Sequence, residues 1–362
     1  MAYNMKNQAF KGLYWPLILT TLFLVEAGVL NQASASSGIM FKKQLLWFSL
    51  GWIILFGLAL SDYQKILSEK IILAFYIVVA GLLLFLAFHH HQRWLKLKFF
   101  SLQPSEFAKL ALIFISASIL HKYDKLNLDL KTFGWLTFFA CPLILLVAVG
   151  DLDQGLILSS IYISFVLVAG VPKRLLIFGA ALAIALGIIV GPHLWNLLKP
   201  YQRARVEAFI NPEAFALSRG YQVIQALIAV GSGGIKGLGF KEGLSSRLNY
   251  LPEKHTDLAF AVWAEEWGFI GASLVVIAFG ILVCQVLKIA TQVRDSFGKY
   301  LCYGIGIMFF LEALINIGGI IHILPIASVP LPFLSYGGSS ILVNMAALGI
   351  VLSASRKRYS FR

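Results

Sequence analysis

Long apolar stretches separated by short polar ones run through most of the chain. Ten such stretches lie at roughly 13–30, 44–60, 70–88, 106–120, 134–149, 155–171, 174–195, 257–287, 300–321 and 339–354. Several reach the roughly 18–20 apolar residues needed to cross a bilayer. A lipid-exposed segment can satisfy its own backbone hydrogen bonds only as a helix. The pattern therefore predicts an all-α polytopic membrane protein of about ten transmembrane helices, forming one integral membrane domain over residues 1–362. Two segments break the rhythm. Residues 196–256 form a long polar connection between the seventh and eighth helices. Ile323 to Gly338 carries Pro325, Pro330, Pro332 and a Gly337-Gly338 pair. It is too broken for a straight helix and too apolar for a free loop, so a re-entrant piece before the tenth helix is expected. The first apolar stretch, Leu13 to Leu30, exceeds the roughly 7–15 residues of a signal-peptide core. It reads as a retained helix despite the Ala33-Ser34-Ala35 sequence after it. No internal repeat or low-complexity tract is present.

Composition supports this class. Hydrophobic residues make up 59% and charged residues 13%, against roughly 25% charged in soluble domains. A net charge of +13 would point to nucleic acid in a soluble protein. Here the cations punctuate apolar stretches and no nucleic-acid motif accompanies them, so orientation and anionic lipid explain them better. With a cytoplasmic N-terminus, sixteen of the 30 Lys and Arg residues fall on cytoplasmic segments and five on the short outer loops; eight more lie in the long connection. Both termini are then expected to be cytoplasmic and the long connection extracytoplasmic. Cys141, Cys284 and Cys302 lack ligand or disulfide spacing. His89-His90-His91 reads as a solvated loop.

The unusual polar residues gather at the outer face. Pro104 and Glu106 suit a helix start, and Glu106 and Lys109 share a helix face at three residues' spacing. That pair is either a local cap and ion pair or the lining of a cavity. Asp153, between two helices, is a turn aspartate or a site residue. Glu253, Lys254, His255, Thr256 and Asp257 crowd the end of the long connection just before a helix. Thr256 or Asp257 could be its N-cap, or the cluster could do acid–base work. Glu265 and Glu266 fall further along that helix, roughly 12–13 Å deeper. Gly231 to Gly239 is glycine-rich, the kind of backbone that approaches phosphates closely; an ordinary flexible loop is the competing reading. The connection's excess of cations fits an anionic, membrane-bound substrate.

In these residues the chain resembles the SEDS (shape, elongation, division and sporulation) family. The shared motifs run in order along nearly the whole chain: Arg93-Trp94, Gln103-Pro104-Ser105-Glu106 with Lys109, Tyr201-Gln202-Arg203, Gly220-Tyr221-Gln222 with Gln225, and Gly231-Ser232-Gly233-Gly234. Leu251 to Asp257, Glu265-Glu266, Asn316-Ile317-Gly318 and Pro330 to Ser340 follow. Val329 to Phe333 is closer to the elongation member, RodA, than to the division member, FtsW. Where the family has Pro-Asp-Leu-Gly, this chain has Leu152-Asp153-Gln154-Gly155.

The resemblance implies a peptidoglycan glycosyltransferase that polymerises lipid II on the outer face of the inner membrane for cell-wall elongation. A lipid II flippase or a division polymerase is the alternative. It implies Asp257 as the catalytic residue, with Arg93, Glu106, Lys109, Asp153, Arg203, Gln225, Lys254, His255 and Thr256 as substrate-binding candidates. It also implies a class B penicillin-binding protein and other elongation-complex membrane proteins as partners. The pyrophosphate leaving group calls for cations or a divalent metal such as Mg or Mn; no organic cofactor is expected.

Overall fold

The computed structural model describes residues 12–36, 38–89, 93–96, 101–123, 129–171, 177, 181, 200–216, 219–244 and 251–357. It is all-α apart from a two-residue antiparallel pair, β1 (Leu95–Lys96) and β2 (Ser101–Leu102). The helices are α1 (Trp15–Ala35), α2 (Gly38–Leu60), the single turn α3 (Tyr63–Ile66), α4 (Glu69–Phe88), α5 (Pro104–Lys122), α6 (Leu130–Gly150) and α7 (Leu152–Val168). After these come α8 (Pro200–Ile210), α9 (Arg219–Ser232), α10 (Ala259–Gln292), α11 (Ser296–Ile320) and α12 (Gly338–Lys357).

Local chemistry sets several starts. Aspartate side chains cap α3, α6, α7 and α11: Asp62 accepts from Gln64 N, Asp129 from Thr132 N, Asp151 from Gln154 N and Asp295 from Gly298 N. Each satisfies an amide that the helix leaves without a partner. Pro16 and Pro104 stand in the first turns of α1 and α5, where a missing N–H costs nothing.

Among the described residues, seven helices are long and apolar enough to cross a membrane: α1, α2, α4, α6, α10, α11 and α12. Helix α7 is apolar but shorter. Helix α5 is buried almost all round, including Glu106 and Lys109. Shielded by α4, α6, α7, α11 and α12, it has no need to be uniformly apolar. The expected stretch 174–195 lies outside the described residues.

The two segments that break the apolar rhythm take these forms. The long connection contains helices, α8 and α9, with a 3-10 turn at Glu213–Phe215 between them. Residues 322–337 are irregular and yet largely interior: Val329, Leu331, Phe333, Leu334 and Ser335 are all buried. Gly28 of α1 makes room for this segment, because a Cβ there would stand 2.0 Å from the Phe333 carbonyl oxygen. Buried amide side chains satisfy its backbone. Gln32 Nε2 donates to Leu334 O at 3.0 Å, Gln44 Nε2 to Ser335 O at 3.1 Å and Asn316 Nδ2 to Val329 O at 2.7 Å. Irregular backbone away from water requires such partners.

Candidate active site

A cavity of about 590 Å³ opens where the α4–α5 connection, the α6–α7 junction, α8, α9, the turn before α10 and the irregular 322–337 segment meet. Its charged lining is Arg93, Asp151, Arg205, Glu253 and Asp257, with Gln103, Gln222, Thr256, Ser328 and Tyr336 among the polar groups.

The turn at 251–258 presents Asp257. Glu253 takes a left-handed backbone, φ 50, unusual for a residue with a side chain and a form of strain that concentrates at functional sites. Its carbonyl accepts from Thr256 N and Leu258 N, and its carboxylate from Thr256 Oγ1 at 2.8 Å. The turn is tied down from outside. Asn31 Nδ2 donates to Ala259 O at 2.9 Å, Gln32 Nε2 to His255 O at 3.0 Å, and Asn316 Nδ2 to Asp257 O at 2.9 Å. Tyr336 N donates to His255 O at 2.7 Å. Leu258 occupies the N-cap position of α10, and no side chain caps that helix. Neither Thr256 nor Asp257 serves as the cap. Burial and the neighbouring Glu253 push the Asp257 carboxyl up to about 7, against the pull of Arg205. A carboxyl so poised can hold or release a proton near neutral pH.

Two arginines line the same cavity. Arg93 Nε donates to Gly150 O at 2.9 Å, and its Nη1 stands 3.4 Å from Asp151. Burial nonetheless holds the Asp151 carboxyl above its ordinary range. Arg205 binds Asp153 through Nη1 and donates through Nη2 to Ser328 Oγ at 2.7 Å; Ser328 N donates to the same Asp153 oxygen at 2.8 Å. Asp153 thus joins α7, α8 and the 322–337 segment.

Below the cavity lies a closed charge cluster. Lys109 Nζ donates to Glu106 at 2.8 Å and also to Glu312 of α11, and Gln154 Nε2 donates to Glu106 at 3.2 Å. All four residues are buried. The local pair expected from spacing exists, but it is part of a cluster spanning α5, α7 and α11.

The glycine-rich stretch is built into a break in α10. Helix α10 breaks at Gly268, φ 64. In an unbroken helix, Phe269 N and Ile270 N would bond Glu265 O and Glu266 O. Instead they donate to Gly234 O and Ile235 O, while Leu238 N and Gly239 N bond the freed carbonyls of Glu265 and Glu266. A Cβ at Gly237 would stand 2.1 Å from Glu266 O. The glycines allow this backbone-to-backbone insertion.

Against this geometry stand the relatives. Residues 10–360 match the cell cycle protein family of FtsW, RodA and SpoVE. The chain belongs to this family. MrdB of Escherichia coli K12, named a peptidoglycan glycosyltransferase, is 34% identical over 349 residues, spanning 94% of this chain and 92% of MrdB. FtsW of Trichlorobacter lovleyi, named a probable peptidoglycan glycosyltransferase, is also 34% identical, over 362 residues, with the same two shares of 94% and 92%. Stage V sporulation protein E of Bacillus subtilis is 31% identical, spanning 94% of this chain and 96% of its own. Among solved structures, a chain of a peptidoglycan synthase complex aligns with TM-score 0.81 and 26% identity, over 96% of this chain and 99% of that one. RodA of Thermus thermophilus aligns with TM-score 0.70 and 23% identity, over 96% and 98%, a likeness of fold.

In this FtsW/RodA/SpoVE chain, Arg93, Thr256 and Asp257 line the cavity, and Asp153 holds the lining Arg205. Glu106 and Lys109 lie beneath it. Arg203, Gln225, Lys254 and His255 are outside the lining; Arg205 and Gln222 stand there in place of Arg203 and Gln225. Burial lowers the Lys254 ammonium below its ordinary range. The His255 ring packs edge-on against Tyr336, with centroids 6.2 Å apart. Sequence reasoning missed Asp151, Arg205, Gln222 and Glu312 as site residues. Glu312 carried a signal, a carboxylate inside an apolar stretch, which is costly unless paired.

Proposed function

We propose that this chain is a peptidoglycan glycosyltransferase that polymerises lipid II, with Asp257 as its general base. One observation carries the reading: a carboxyl that caps no helix, is pushed up to about 7, and faces a cavity with two guanidinium groups. The acceptor sugar hydroxyl gives its proton to Asp257 as its oxygen forms a bond to the donor's anomeric carbon. The bond from that carbon to the pyrophosphate oxygen breaks. Arg93 and Arg205 are placed to stabilise the charge that develops there. Lys109, bonded to two carboxylates below, is reassigned to holding the site together.

Among the described residues, no three His, Cys, Asp or Glu side chains converge as a metal cage. In the alternative in which Asp257 holds a Mg or Mn ion instead of taking the proton, the substrate's own pyrophosphate oxygens would share the ion, as hard cations held by one or two carboxylates do. It would supply further charge neutralisation on the leaving group.

The charge bias supports ten spans with both termini cytoplasmic, so that the cavity faces outward. The Val329–Phe333 resemblance favours the elongation role, and the likeness to a synthase-complex chain favours a class B penicillin-binding protein as partner. Purified chain with that partner, given lipid II in detergent with no vesicle to cross, should form glycan strands resolvable by gel electrophoresis. Absence of polymer, combined with lipid II translocation in vesicles, would replace this reading with a flippase.

A further inference from the structure

The inserted loop after α9 carries an unusual exposed surface. Ile235 is 69% exposed, Leu238 43% and Phe240 42%, and Lys236 and Lys241 beside them are also exposed. Exposed apolar side chains in such density are normally covered by something. What covers these follows from their attachment. The bonds from Phe269 N to Gly234 O and from Ile270 N to Ile235 O fix the loop at the break in α10. Just past that break begins the exposed apolar face of α10, with Phe269 at 70%, Ile270 at 52% and Leu274 at 51%. From Phe269 to Leu287, just before Lys288, there are about 19 residues, roughly 28 Å of helix, against a hydrocarbon core of roughly 30 Å. The break at Gly268 therefore marks the edge of the hydrocarbon on the cavity side. Ile235 sits at that edge, continuous with a lipid-facing stripe.

We propose that residues 234–244 form an interfacial membrane anchor: Ile235, Leu238 and Phe240 enter the acyl-chain boundary of the leaflet on the cavity side, while Lys236 and Lys241 meet its anionic phosphates. The arrangement of apolar tips beside cations is the one interfacial segments use. Lys241 Nζ already lies 5.3 Å from the Phe240 ring centroid, so an aromatic and a cation share one position at the boundary. Because the loop closes the opened turn of α10, the anchor fixes the height of the helix start, and with it Asp257, above the bilayer. The proposal does not depend on which leaflet this is, or on the reaction.

The test uses the full chain in nanodiscs of phosphatidylglycerol and phosphatidylcholine, with exposed Cys141 and Cys284 replaced by Ala. Spin labels are attached at Ile235→Cys, Leu238→Cys and Phe240→Cys, one at a time. The expected result is collision with oxygen exceeding collision with a water-soluble nickel chelate by several-fold at 235 and 240. Lys236→Gln with Lys241→Gln should raise nickel access at 240 in these discs but not in pure phosphatidylcholine. Nickel access at all three positions comparable to that of an aqueous loop would overturn the proposal. So would labels that become shielded only when a partner protein is added. Labels that favour oxygen equally with and without anionic lipid would keep the apolar insertion and overturn the phosphate contact.

Discussion

The cavity and the cluster beneath it use the same kinds of side chain to opposite ends. In the closed cluster, Lys109 is held by Glu106 and Glu312, and Gln154 adds a further bond to Glu106. Every member is out of reach of a substrate. In the cavity, Arg93 and Arg205 are partly engaged, and the Asp257 carboxyl is left to its burial and to Glu253. Pairing fixes charge and removes reactivity; withholding a partner leaves a group able to take a proton. The lower cluster holds α5, α7 and α11 in register. The upper one lines the cavity on the platform they make.

The largest expected effect comes from opening the closed cluster. Lys109→Met leaves two carboxylates buried without their cation, a loss of roughly 3–5 kcal/mol. Polymerisation should vanish while the protein still inserts, and the thermal midpoint of the detergent-solubilised chain should fall sharply. Near-normal activity would reduce the cluster to a helix cap. Next is Gln32→Leu, which strips donors from the His255 and Leu334 carbonyls. The His255 carbonyl keeps its bond from Tyr336 N, so the main loss is at Leu334 O; at roughly 1–3 kcal/mol for a buried group left unsatisfied, thermal stability should drop and the turn holding Asp257 should loosen. Hydrogen exchange confined to residues 251–258 and 330–336 would show it; unchanged protection would remove the amide from the account. Arg205→Lys keeps a charge in the cavity but cannot bind Asp153 and Ser328 together. Its polymerisation rate should fall roughly ten- to a hundredfold, matching the roughly 1.5–3 kcal/mol of a hydrogen bond to a charged group. A parental rate would show that charge alone suffices. The smallest change is expected for Glu312→Gln. Lys109 keeps Glu106 and the surplus negative charge disappears, so stability should move by less than about 1 kcal/mol. A collapse like that of Lys109→Met would mean that both carboxylates are required.

How far the sequence foretold this depends on the distance over which each feature acts. The length of the apolar stretches showed the long membrane helices among the described residues, and the run from Glu253 to Asp257 stood out as a dense polar mouth, because both are local. The Glu106–Lys109 pair was legible at three residues' spacing. Its third member, Glu312, lies 203 positions from Lys109, and only the bundle brings them together. The same holds for Asn31, Gln32 and Gln44, whose bonds to the 255–259 and 334–335 backbone only the fold brings about. The glycines of 231–239 were visible; their use, to replace two hydrogen bonds of a broken helix, was not, since Gly268 is a single glycine in a long apolar stretch and the loop that fills the break lies roughly thirty residues before it. Arg205 and Arg203 are two residues apart, and which one faces the cavity is decided by how α8 packs.

The central claim is that Asp257 acts as the base, and the pH–rate profile of polymerisation tests it most directly. The folded-state carboxyl is raised, from 3.8 to about 7, so its base form grows as pH rises through 7. The parental kcat/KM should climb across that window on purified chain with its partner. The same raised value means that the folded chain binds this proton more tightly than the unfolded one. Stability from this group is therefore present at low pH and lost as pH rises from about 4 to 7. Asp257→Asn should remove both trends together. The rate should fall by at least roughly a hundredfold, with its dependence on the pH 7 titration gone, while thermal stability at neutral pH is equal or higher. A variant Asp257→Asn that polymerises near the parental rate with the same pH profile would contradict the account.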